Sequence, residues 1–223
     1  MQVQQSFIDT KRKLNKMEFK SSDYKDPVPE PLKSAGSDIS QPFTITVKPV
    51  CDIWRKPPSL DVFNAPVIYT SMPSSSFTSM SVDISAEWKT LYDQGGLVLH
   101  IPSHKRWVKA GVEFENGKPW ISVVVADKWA DWSLMPLSPD AKGYLHLKFE
   151  RVVEEDTSSM LKISVKGEDG EMRPAREVTG FFEGVKAEEE CHAGVFAAKP
   201  IKDEGNEDGA LVVHFKGLTV DTK

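Results

Sequence analysis

From Phe43 onward, apolar residues come in short runs, and within the runs they alternate with polar ones. A period of two marks a strand with one covered face, and many such runs between turn residues predict an all-β sandwich or barrel. The predicted strands are Phe43–Lys48, Ala65–Ser71, Phe77–Ser85, Gly96–Ile101, Trp107–Glu115, Trp120–Ala126, Asp131–Met135, Tyr144–Arg151, Leu161–Lys166, Gly194–Ala198 and Leu211–Val220. Ala175–Phe182 reads as one helical turn or a further strand, and the acidic, glycine-containing Lys202–Gly209 as a loop.

The sharpest local signal is Asn116-Gly117 between two such runs. Both central residues of a type I′ turn need positive φ, which this pair adopts most readily. The turn sets a register with Glu115 opposite Lys118, Glu113 opposite Trp120, Val112 opposite Ile121, Ala110 opposite Val123 and Val108 opposite Val125. One face is then apolar. The other carries Trp107, Lys109, Gly111, Glu113, Trp120, Ser122 and Val124, and is expected to be open. The same alternation puts His100 on an open face, beside the inward Leu97, Leu99 and Ile101. It also turns His146 and Lys148 outward from Leu145, Leu147 and Phe149. The strands are expected to share one open face of aromatics, two histidines, lysines and Glu113.

Residues 1–41 read as a polar N-terminal extension and 42–223 as the β-sandwich domain, within the length of one all-β unit. In the extension, Asp26–Pro31 is proline-rich and favours extended backbone. Ser34–Ser40 is small and polar, and Phe7–Phe19 reads as a short helix. A net charge of -5 leaves no basic footprint for nucleic acid or an acidic membrane surface. The run Lys11, Arg12, Lys13 and Lys16 reads as solvated. Two cysteines, Cys51 and Cys191, are too few for a disulfide scaffold and read as reduced thiols. No stretch approaches the ~20 apolar residues of a membrane helix, and the amino end lacks an apolar signal core. The expected location is therefore the cytoplasm, with the nucleus second.

Several blocks then carry a family likeness. They are Asp52-Ile53-Trp54-Arg55-Lys56-Pro57-Pro58, Phe63-Asn64-Ala65-Pro66-Val67 and Ser85 to Leu97 with Tyr92-Asp93-Gln94-Gly95-Gly96 at its end. Trp107-Val108-Lys109-Ala110-Gly111-Val112-Glu113-Phe114, Ser122-Val123-Val124 and Asp131-Trp132-Ser133 complete the set. Across about residues 43 to 220 the chain resembles fungal regulation-of-enolase proteins, a family of concanavalin A-like lectin/glucanase type. The resemblance implies a jelly-roll sandwich of two antiparallel sheets and a link to carbohydrate metabolism. It carries no catalytic mechanism, since fold alone does not fix function.

Sugar binding needs aromatic platforms for the ring and planar polar groups for its hydroxyls. Trp107, Trp120, Trp129 and Trp132 are candidate platforms, Trp132 also fitting the core, while Trp54 and Trp88 read as core or loop anchors. Lys109, Glu113, Ser122, Asp131, His100, His146 and Lys148 are candidate polar contacts. Glycoside hydrolysis needs two facing carboxylates ~5–9.5 Å apart. The Glu-x-Asp-x-x-Glu strand motif of the glucanases is missing, which leaves Glu113 with Asp131. Acid–base work without a cofactor needs only a suitable pair, for which Glu113, Lys109, His100 and His146 are candidates. No histidine spacing suits a metal, and Asp127, Asp131 and Asp140 make no convincing calcium cluster. Gly95-Gly96 suggests a tight turn or close backbone approach, ordered by Asp93 and Gln94, which could also reach the groove.

Three readings follow. The first is a non-catalytic, lectin-like binding protein for a sugar, sugar phosphate or similar small metabolite. The second is a cofactor-independent lyase, isomerase or cyclase working in the same groove. The third is an interaction protein whose extension meets a protein partner.

Overall fold

In the computed structural model, residues 17–22, 28–33, 38–39, 41–137, 143–154 and 158–223 are described. The basic run at Lys11 to Lys16, the proline-rich stretch from Asp26 to Pro27 and Asp140 lie outside them. Most of the helix expected at Phe7–Phe19 does too, and Phe19 itself begins a strand.

Two antiparallel sheets form a concanavalin A-like jelly-roll sandwich. The first has seven strands in the order β1 (Phe19–Ser22), β6 (Val67–Pro73), β15 (Glu190–Ala198), β8 (Gln94–Ile101), β9 (Arg106–Glu115), β10 (Lys118–Ala126) and β11 (Ala130–Pro136). The second runs β14 (Met172–Val178), β13 (Ser159–Lys166), β12 (Leu145–Val153), β7 (Phe77–Ala86), β16 (Leu211–Thr222) and β2 (Asp38–Ile39), with β3 (Phe43–Val47) also paired to β16. A separate hairpin joins β4 (Ile53–Lys56) to β5 (Leu60–Phe63). The segment read as a turn or strand at Ala175–Phe182 splits between the end of β14 and the turns that follow.

The Asn116-Gly117 turn has φ of 51° and 76°, and the β9–β10 register is the one the turn predicts, Glu115 against Lys118 through Val108 against Val125. The inward positions close the core. Leu97, Leu99, Val108 and Ala110 from the first sheet, with Met80, Val82, Leu147, Phe149, Val213 and Phe215 from the second, are buried. The sandwich also draws on residues before Phe43. Phe19–Ser22 pairs with β6, and Leu32, in the short helix α1 (Glu30–Lys33), is fully buried. Cys51 and Cys191 are both buried free thiols.

Two expectations about the open face need correction. First, His146 and Lys148 do not share a face with Glu113. They lie on β12 in the second sheet, where His146 Nδ1 sits 2.6 Å from Asp83 Oδ1 and Lys148 donates to Glu150 at 2.7 Å. Alternation assigns a side of a strand, and topology assigns the sheet. Second, the outer face of β8–β10 is covered. Trp107 is 1% exposed, Lys109 3%, Glu113 6% and Ser122 5%. The cover is the β4–β5 hairpin, which lies across this face.

Arg55 fastens the cover. Its Nη1 donates to Lys105 O at 2.7 Å and to Asp127 O at 2.6 Å, and its Nε to Asp61 Oδ1 at 2.8 Å. Phe63 packs edge-on against Trp107 and stacks on His100, with centroids 6.4 and 4.9 Å apart. A covered polar face is stable only if its polar groups find partners inside.

Candidate functional site

Those partners are supplied by register. Gln94 lies opposite Glu113, Gly96 opposite Gly111, and Val98 opposite Lys109, so all project on the outer face. Gly96 and Gly111 leave a strip with no side chains. Lys109 crosses it to donate from Nζ to Gln94 Oε1 at 2.5 Å. Gln94 Nε2 in turn donates to Asp52 Oδ1 at 3.1 Å, and Lys109 Nζ stands 3.6 Å from the same oxygen. On the other side, Ser122 donates to Glu113 Oε2 at 2.6 Å and accepts from Trp132 Nε1 at 3.1 Å.

Above this polar floor stand aromatic walls. Trp54 of β4 meets Trp132 edge-on at 6.2 Å, and Tyr92 meets it at 6.3 Å. With Leu60, Pro200 and Ile201 they enclose a cavity of about 340 Å³ whose floor is Asp52, Gln94, Lys109 and Glu113. That is within the ~300–1,000 Å³ range of small-molecule sites. The wall at Pro200 is held by the buried Lys199, which donates to Asp93 Oδ1 at 3.0 Å and Asp203 Oδ1 at 2.6 Å. Asp93 also accepts from the backbone N–H groups of Lys89 and Thr90, so it orders the turn. Gln94, its neighbour, reaches the groove.

Burial is the main influence on both central ionisable groups. It raises the Glu113 pKa above the ordinary carboxylate range, against the pull of Lys109 and the Ser122 hydrogen bond. It lowers the Lys109 pKa, opposed by Asp52 and Glu113. The folded protein thus holds the Glu113 proton more tightly than the unfolded chain does. The associated stability is full below the ordinary carboxylate range and is lost as pH rises through the folded pKa. Glu113→Gln, which cannot ionise, is expected to escape that loss. Its unfolding midpoint relative to wild type should climb with pH above the carboxylate range, and parallel midpoint curves would show that Glu113 ionises without penalty.

The other candidates named from the sequence are placed elsewhere. Trp107 is core, beneath Phe63, with its Nε1 buried and unpartnered. Trp120 braces the hairpin end, donating to Glu115 O at 2.9 Å beneath the Lys118 ammonium. Trp129 is 58% exposed in the β10–β11 turn. Asp131 is exposed and accepts from Arg176 at 2.6 Å, so it does not face Glu113 across a groove. His100 lies next to His192 on β15, ring centroids 5.7 Å apart, in a row with Tyr69 and Phe63. Burial, then His192, lowers its pKa to about 4.

Of the residues named from the sequence, Lys109, Glu113 and Trp132 line this cavity, with Ser122 hydrogen-bonded between Glu113 and Trp132. Asp52, Trp54 and Tyr92 line it too and were not among the expected ligand contacts. Their signal was present in the Asp52-Ile53-Trp54 and Tyr92-Asp93-Gln94 blocks of the family likeness.

A family model described as "Protein of unknown function (DUF1349)" matches residues 30–223. The uncharacterized protein AN7484 of Emericella nidulans is 39% identical over 185 residues, which is 80% of this chain and 86% of its own. Regulation of enolase protein 1 of Saccharomyces cerevisiae is 31% identical over 70 residues, 31% of this chain and 34% of the yeast protein. Among solved structures, a functionally unknown S. cerevisiae protein is similar with a TM-score of 0.62 and 22% identity, over 81% of this chain and 88% of its own. The xylan β-1,4-xylosidase of Bacillus halodurans C-125 is similar with a TM-score of 0.54 and 13% identity, over 80% of this chain but 32% of the enzyme. At these identities the two structures establish the shared fold.

Proposed function

Because the chain belongs to the DUF1349 family of proteins of unknown function, we propose its role from its own cavity: it is a lectin-like, non-catalytic binding protein that holds a sugar or similar polar small molecule. The observation that carries this is the convergence of Trp54, Tyr92 and Trp132 with Asp52, Gln94, Lys109 and Glu113 on one cavity of about 340 Å³. An aromatic face accepts the apolar side of a sugar ring. Amide and carboxyl groups on the floor suit its hydroxyls. The xylosidase of the same fold and the enolase-regulation name of the yeast relative add a carbohydrate association. Cytoplasmic action without a cofactor belongs to the same proposal.

The test is thermal shift and tryptophan fluorescence against sugars, sugar phosphates and glycolytic metabolites. A ligand that binds only the folded state raises the melting temperature. Trp132→Ala, which removes a wall and the Ser122 hydrogen bond, is expected to weaken binding at least about tenfold, about 1.4 kcal/mol. A shift that survives Trp132→Ala and Glu113→Gln unchanged would place the ligand elsewhere.

The opposed pKa shifts of Glu113 and Lys109 favour a second reading, a cofactor-independent lyase, isomerase or cyclase. It requires that a bound ligand be converted, and that Glu113→Gln stop conversion while binding persists. Binding with no product after prolonged incubation would reject it.

A further inference from the structure

We infer that the ligand of this cavity is an uncharged polyhydroxylated ring, and that phosphorylated and acidic sugars are rejected. The inference rests on the cavity being the ligand site, and names its ligand class.

Among the lining residues Lys109 is the one cation. Its ammonium is already engaged by Gln94 Oε1 at 2.5 Å and faces Asp52 Oδ1 at 3.6 Å. Beyond those it looks onto the rings of Phe196 and Trp107, at 5.7 and 6.0 Å from the centroids. Against this single spent charge stand two carboxyl groups, Asp52 and Glu113. With Asp52 ionised, the floor is neutral if Glu113 keeps its proton and negative if it does not. Deprotonation of Lys109 would only make it more negative.

A phosphate site is built the other way, from arginine forks, unpaired lysines or backbone N–H groups at a helix start. The nearby cations do not fill that role. The Arg55 guanidinium is committed to two carbonyls and Asp61, and Lys199 to Asp93 and Asp203. The described helix α1 is a single turn, formed by Glu30–Lys33. An anion entering the cavity would lose its water and meet the Asp52 carboxylate with no free cation among the described lining residues to receive it, and like charges brought together oppose binding.

A neutral polyol meets the opposite situation. The Gln94 amide donates to Asp52 Oδ1 at 3.1 Å, which sets an amide and a carboxylate side by side on the floor, the polar groups that suit neighbouring hydroxyls. Glu113, held toward its neutral form by burial, can donate as well as accept. Trp54, Tyr92 and Trp132 cover the C–H surface of the ring.

The experiment titrates the full chain with paired probes at pH 7. These are hexoses, pentoses and their disaccharides, each beside its phosphate monoester and its uronic acid, followed by tryptophan fluorescence and calorimetry. At least one neutral probe is expected to bind at least about tenfold more tightly than its charged counterparts. Asp52→Asn, which keeps the acceptor and frees the Lys109 charge, is expected to narrow that gap by raising affinity for the phosphate. Lys109→Gln is expected to preserve the neutral preference. If a phosphate or uronate binds as tightly as its neutral partner, the charge inference falls while the cavity remains a ligand site. If Lys109→Gln selectively removes phosphate binding, Lys109 is a phosphate clamp and the inference likewise falls. If no probe of any charge binds, the site reading falls and takes this inference with it.

Discussion

Gly111→Ala is expected to destabilise the native sandwich severely. A Cβ at Gly111 would lie 1.9 Å from Gly95 O and 2.8 Å from Gly96 Cα. A Cβ at its register partner Gly96 would lie 2.0 Å from Ala110 O. Real atoms do not approach so closely, and the obstacles are backbone, so no side-chain rotation relieves them. The strands would have to separate, breaking the β8–β9 ladder under the cavity. The cost should exceed about 4 kcal/mol, in the tail reserved for such lesions and a large part of a typical domain's stability. Gly117→Ala supplies the contrast. It sits at φ +76° with open space around it, so it should cost only about 1 kcal/mol of backbone strain. Urea unfolding of the two variants beside wild type reads the difference. If the two glycines cost the same, close strand approach is not what Gly111 provides.

Arg55→Met is expected to release the β4–β5 hairpin while the two main sheets stay folded. The methionine keeps much of the packing volume but none of the donors. Lys105 O and Asp127 O lie in the turns that close β8–β9 and β10–β11, so one guanidinium ties two turns to the hairpin that covers them. Hydrogen bonds to a charged donor contribute ~1.5–3 kcal/mol each, so the local loss should be about 3 kcal/mol or more after relaxation. Amide exchange should accelerate across Ile53–Lys56 and Leu60–Phe63, with little change in β7 or β12. Tryptophan emission should shift red as Trp54 leaves Trp132. Ligand binding should weaken in parallel, because Trp54 and Leu60 are walls of the cavity. Arg55→Lys should not rescue, since a point-like ammonium cannot reproduce the planar fork. Unchanged exchange in β4 and β5 would mean that Phe63 and Asp52 hold the hairpin without Arg55.

Both expectations depend on contacts of different legibility. The strands of the sandwich follow from alternation, because a strand's side chains change sides at every residue and the side turned to the core between the sheets is apolar. The β9–β10 register follows from Asn116-Gly117, because a two-residue turn leaves no freedom in pairing. Glu113, Lys109, Ser122 and Trp132 could therefore be found along the chain before any fold was built. The family could be read from its blocks as well.

Tertiary structure decided the rest. Alternation gives parity within a strand and says nothing about sheet membership, which is why His146 and Lys148 left the group and His192 joined His100. It also cannot tell an open polar face from a covered one. Lys109 and Glu113 read as solvent-facing because burying such groups is costly, and the cost is offset only by Asp52, Gln94 and Ser122 meeting them in space. The cover itself is a hairpin at residues 53–63 folded across strands from residue 94 onward. Its placement depends on Arg55 finding two backbone carbonyls, and a carbonyl carries no signature in the amino-acid sequence. The walls of the cavity and Asp52 on its floor are therefore a property of the assembled sandwich, while Gln94, Lys109 and Glu113 are written in the alternation of β8 and β9.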